Sequence, residues 1–155
     1  MTDRTDAVGK ARGGAQMFLD EPALVHRWER ASLRLATQHR QLQTFFTVVT
    51  EELTGRSVAS VQTAFSRLDD AVSAHLEIEE QVYFATLRRL HPEASEVLRG
   101  LVEEHHAFRR RIERLNDFLG RGLLESFAGA FERLSADFLR HKKREEEIVS
   151  ALPRG

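Results

Sequence analysis

Apolar residues recurring at alternating steps of four and three along four long segments constrain this chain more than anything else in it. In the second segment they read Val61, Phe65, Leu68, Val72, then His75 and Glu79, then Val82. Spacing of this kind lays one apolar stripe along an α-helix. The first segment repeats it with Trp28, Leu35, His39, Leu42, Phe46, Val49 and Leu53. The third carries Leu98, Leu101, His105, Phe108, Ile112, Leu115 and Leu119, and the fourth Phe127, Phe131, Leu134, Phe138, His141, Glu145, Ile148 and Leu152. Thr54-Gly55, His91-Pro92 and Gly120-Arg121-Gly122 break the pattern, so the connections are short. Four stripes joined by short links predict an all-α fold, an antiparallel up-and-down four-helix bundle. Asp20-Glu21-Pro22 supplies a cap and a first-turn proline for the first helix, and the second starts between Ser57 and Ser60.

The length of 155 residues suits a single domain. Residues 1–18 have no apolar run and read as a disordered N-terminal tail, leaving 19–155 for the bundle. Charged residues make up 30% of the chain, but the two signs are interspersed and the formal net charge is -1. That distribution argues against a nucleic-acid partner. Without an apolar stretch for a signal or a membrane span, the expectation is a cytoplasmic protein with no membrane partner. The chain has no cysteine, so a metal site here must be built from imidazole and carboxylate.

Each stripe contains a histidine where an apolar residue is expected. His75 and Glu79 are four residues apart, one turn above the other on one helix face, and His141 and Glu145 repeat the spacing. Counting residues from each turn places His39 level with His75, and Glu79 level with His105. His141 comes out about one turn from His105 by the same count. A buried carboxylate is costly unless it is paired or bound to a metal. The set His39, His75, Glu79, His105, His141 and Glu145 therefore reads as ligands for two metal ions, with the carboxylates free to bridge. Iron suits such nitrogen and oxygen donors with open positions best, ahead of manganese and zinc. Tyr83, one turn beyond Glu79, is a candidate hydrogen-bond donor to the site or a packing residue, and His106, beside His105, a candidate for touching the ligands from outside. Glu80 and Glu146 fall about 100° off the core line. His26 and His91 read as surface residues.

These motifs resemble the hemerythrin-like, or HHE cation-binding, family. The matching pieces are His39 with Leu42, HLEIEE from His75, EEHHAF around His105 and HKKREEE from His141, and the likeness runs from about residue 22 to 152. The resemblance implies a non-haem centre of two iron ions joined by an oxo or hydroxo bridge. It also implies Glu79 and Glu145 as bridging carboxylates and the four histidines as terminal ligands. The chain departs from the oxygen-carrying members at two places. Arg109 stands where they have a second third-helix histidine, and the fourth-helix carboxylate is Glu at four residues rather than Asp at five. One imidazole fewer opens a coordination position, which favours reaction or sensing over reversible oxygen storage.

The resemblance thus implies a protein that binds or reacts with oxygen, peroxide or nitric oxide, an oxidoreductase or peroxidase-like activity being one form of it. A second reading is an iron or oxygen sensor, or an iron-handling protein, whose folding is coupled to metal loading and read by a protein partner. A third, a metal-free interaction module, requires six buried polar groups to satisfy one another.

Overall fold

The computed structural model describes residues 20–153, all of them helical or in short connections. The expectation for residues 1–18 lies outside the described residues. Helix α1 spans Glu21–Thr54, and the Asp20 side chain caps it by accepting from the Ala23 N–H at 3.0 Å. Helix α2 spans Val58–Ile78 and is capped by Ser57, which accepts from the Ser60 N–H. A π-helical turn, Glu79–Tyr83, continues α2 directly into α3, Phe84–Leu90. His91 leaves the helical region before Pro92, and a single 3₁₀ turn at Pro92–Ala94 leads into α4, Ser95–Gly120. Gly122 takes a left-handed φ of 70° in the last connection, before α5, Leu124–Ala151. With α2 and α3 taken as one rod, the described residues form four rods. No helix among the described residues is long and apolar enough to cross a membrane.

The stripes bury as their spacing predicts. All seven stripe positions of α4 are buried, as are Phe127 to Glu145 on α5. On α1 the core takes Leu35, Leu42 and Val49, while Trp28, His39, Phe46 and Leu53 are half-buried; Leu24 and Ala31 are buried as well. One stripe position moves. The regular steps place Val82 in the core, but Val82 is half-buried and Tyr83 and Phe84 are buried instead. The cause is the π turn, in which the Phe84 N–H reaches back five residues to the Glu79 carbonyl and so inserts one residue into the repeat.

The apolar core is divided in two. One cluster holds Leu42, Val49, Phe65, Phe108, Phe127 and Phe131 among others; the second holds Ala31, Leu35, Tyr83, Phe84, Leu98 and Leu101. Between them lies a layer of six polar side chains.

Candidate metal centre

The layer is formed by His39 from α1, His75 from α2, Glu79 at the start of the π turn, His105 from α4, and His141 with Glu145 from α5. Five of the six are nearly inaccessible, and the side chain of His39 is 21% exposed. Two groups of donor atoms converge closely enough for one ion each: His39, His75 and Glu79, and then Glu79, His105 and His141. Glu79 belongs to both. Its Oε1 lies 2.9 Å from His75 Nε2 and 3.6 Å from His39 Nε2, while its Oε2 lies 3.2 Å from His105 Nε2. Across the layer His39 Nε2 and His75 Nε2 are 3.1 Å apart, and His105 Nε2 and His141 Nε2 3.0 Å. Counting from the turns had set His141 one turn away; with α4 ending at Gly120 and α5 starting at Leu124, the two rings come level.

The outer edges of these rings fix where their protons are. His105 Nδ1 donates to Glu80 Oε1 at 2.8 Å, and His141 Nδ1 to Glu104 Oε2 at 2.5 Å. His75 Nδ1 lies 3.2 Å from the Gln38 side-chain oxygen. A proton held on Nδ1 leaves Nε2 as a bare lone pair, the tautomer a metal ligand needs. His105 and His141 therefore turn lone pairs toward each other and toward a carboxylate, with no proton between them. Consistently, neither oxygen of Glu79 has a hydrogen-bond partner despite the short distances, and Oε2 of buried Glu145 has none either. Buried polar atoms are seldom left in that condition. A cation among them resolves all of these conflicts at once, and the donor set of imidazole nitrogen and carboxylate oxygen fits a divalent or trivalent transition metal.

The two carboxyls are driven apart in acidity. Burial acts to raise Glu79; with Nε2 of His105 and His75 protonated, the two rings would outweigh it and hold this carboxyl well below the usual range, and a cation at the same place would displace those protons. Glu145 moves the other way: burial pushes it up and the Glu79 charge beside it adds to the rise, with Lys142 offsetting only part. Burial likewise lowers His141, against the opposing pull of Glu104. Aromatic rings close the layer. Phe84 stacks on His105 at 5.7 Å, and Phe108 meets His141 edge-on at 5.2 Å.

Several residues that spacing alone set aside prove to contact the layer. Glu80, off the core line as expected, reaches His105 from that flank, and Arg109 donates to the same Glu80 oxygen at 2.9 Å. Arg109 thus steadies the carboxylate that holds the His105 ring. Glu104 holds His141 and is itself paired with Arg144. Glu80 and Glu104 each sit one residue from a stripe polar residue, at the rotation that faces the neighbouring helix. Lys142 lies against both ring nitrogens of His39.

The two residues expected at the periphery divide. Tyr83 is buried and stacks on Trp28 at 6.2 Å, and burial, with the Glu145 charge second, pushes its hydroxyl up to about 12. His106 is half-exposed, and its nearest carboxylate, that of Glu103, is 3.9 Å away. Its side chain is solvated because it falls one residue round from His105 on the outer face. His91 sits at a helix end beside Glu93, and His26 is exposed.

Comparison with known proteins agrees with this geometry. No curated protein and no solved structure matches the chain. The family model described as the hemerythrin HHE cation binding domain matches residues 32–152, which span all six polar side chains of the layer. The chain belongs to the hemerythrin HHE cation-binding domain family.

Proposed function

We propose that this protein is a non-haem di-iron protein that binds or reduces a small oxidant: oxygen, peroxide or nitric oxide. The observation that carries the reading is Glu79, a buried carboxylate with both oxygens unsatisfied and one imidazole pair on either side. In this reading His39 and His75 would hold one ion and His105 and His141 the other, with Glu79, which belongs to both groups, as the carboxylate they would share. Glu145 joins as the second carboxylate on losing its proton, so loading releases acid. Two irons held by these residues would supply electrons and open coordination positions. The chain's own part is to orient and to exclude. Glu80, Glu104 and Gln38 fix three rings from behind, while Phe84 and Phe108 keep bulk water from the layer. With Arg109 in place of a further imidazole, the donor set stays incomplete, which favours reaction over storage.

The same reading includes the course of the chain. His39 meets His75 and Trp28 meets Tyr83, partners that move apart in sequence as the short first link is left behind, which supports an antiparallel up-and-down path.

Elemental analysis of protein made with iron available, with absorption spectra before and after peroxide, tests the proposal. It expects about two irons per chain and a new charge-transfer band on oxidation. A folded protein without metal refutes it. A reading as metal sensor is favoured by the same unsatisfied carboxylates, because an ion that satisfies them stabilises the bundle directly. A large rise in melting temperature on loading, with loaded and reduced protein inert to both oxygen and peroxide, selects the sensor.

A further inference from the structure

Helix α1 packs closely along α2, and α4 along α5, whereas α1 and α5 meet sparsely. Along that loose seam runs an open groove of about 610 Å³. Its floor is apolar, made by Leu42, Phe46 and Phe138, and Leu139 on its rim is 66% exposed. At one end it reaches His39, the most accessible member of the polar layer. From there it follows α1 as far as Glu51, about 18 Å at the helical rise.

The charges are not spread evenly. Arg40, Lys142 and Lys143 gather at the His39 end, together with Glu146, while Glu51 lies at the far end. Among the described residues the ion pairs that basic side chains form leave all three of these cations out. Lys142 is half-buried, and its ammonium rests against the ring of His39 rather than a carboxylate. The carboxylates that act on it, Glu145 and Glu146, are on its own helix and neither closes an ion pair with it, so the ammonium has room for a further anion. If His39 turns its nitrogen to a metal ion, Lys142 loses even that neighbour.

We propose that the α1/α5 groove is a binding site for an amphipathic monocarboxylate, a medium-chain fatty acid, with its carboxylate at Lys142 and Arg40 and its chain along Leu42, Phe46 and Phe138. The apolar stretch of the floor begins beside the cations and gives way to Thr47 and Thr50 toward the far end, so the cations stand at one end of an apolar surface, which is the polarity of such a molecule. The site goes beyond the proposed metal chemistry. It stands on groove residues, and its occupant is held next to His39 without ligating it.

Calorimetric titration of the full-length protein as purified, with its metal content measured on the same sample, provides the test. Decanoate is the probe, with octanoate, octanol and acetate for comparison. Decanoate should bind about tenfold more tightly than octanoate, from two further methylenes leaving water, and acetate should not bind measurably. Lys142→Gln should weaken decanoate about tenfold and leave octanol unchanged, a split that a merely structural lysine does not produce. Leu139→Glu, at an exposed rim position, should weaken decanoate without lowering the melting temperature. Decanoate binding no tighter than acetate, or binding indifferent to both substitutions, overturns the proposal. Iron-free protein that binds decanoate in this pattern refutes the di-iron reading and leaves the groove standing; iron-loaded protein that ignores decanoate does the reverse.

Discussion

Replacing Glu145 by Gln should stabilise the metal-free protein and weaken the metal-loaded one. Glu145 is 4% exposed, one of its oxygens is unpartnered, and burial beside Glu79 raises its carboxyl. In the unfolded chain the same carboxyl ionises near its ordinary value of 4.5. A carboxyl raised in the folded state gives its full contribution below the unfolded value, and that contribution is lost as pH climbs toward the folded one. Metal-free protein should therefore lose stability from about pH 5 upward, by at most about 1.4 kcal/mol per pH unit. Between pH 5 and 8 the ceiling is about 4 kcal/mol, and relaxation around a partly solvated charge brings the expectation to about 2 kcal/mol. Glutamine has the same shape and no charge to bury. At pH 8 the metal-free Glu145→Gln protein should accordingly melt roughly 4–8 °C above the parent, and the two should converge at pH 5. Loaded protein should show the opposite order, because a carboxylate ligand has been removed. Thermal melts followed by circular dichroism, on stripped and reloaded samples at both pH values, read all four states. A metal-free variant less stable than the parent at pH 8, or a gain that persists unchanged at pH 5, would refute the reasoning.

Two further outcomes follow from particular contacts. Glu80→Gln removes the charged acceptor behind His105 and leaves Arg109 without its partner, so metal affinity measured by chelator competition should fall about 10- to 100-fold, while the bundle stays folded; unchanged affinity would show that this hydrogen bond does not position the ring. Arg56 holds a left-handed φ of 54° in the first connection, and its ion pair with Glu125 is highly exposed, so Arg56→Gly should raise stability by about 0.5–1 kcal/mol in urea unfolding, and a loss would mean that the ion pair outweighs the backbone.

Helix placement and burial were legible because they rest on local periodicity. The Gly120-Arg121-Gly122 break, the proline after His91 and the four-three steps required no knowledge of distant contacts, and the α4 stripe buries residue for residue. The convergence of the polar layer could be approached by counting, though the count erred by a turn for His141. What spacing could not supply was the π turn, since one inserted residue leaves no mark in composition and shows only as Tyr83 and Phe84 taking the core in place of Val82. It also missed the acceptors behind the rings. Glu80 and Glu104 look like ordinary solvated helix charges until the neighbouring helix is in place, because the histidine that each one serves is on another segment. Lys142 is a similar case, being one of several basic residues on α5 and distinguished only by facing His39 across the loose seam.

The division of the core has a consequence for how the molecule coheres. Two apolar clusters, the second drawing only half-buried residues from α5, are separated by a slab of imidazole and carboxylate in which both oxygens of Glu79 and one of Glu145 lack a hydrogen-bond partner. Left so, the halves are joined chiefly by the continuity of the helices that pass through both, and each can breathe by itself. Two ions in the slab would between them tie side chains from all four rods at one level, turning the weakest cross-section of the bundle into its tightest. The same six residues would then decide whether the protein unfolds as two units or as one.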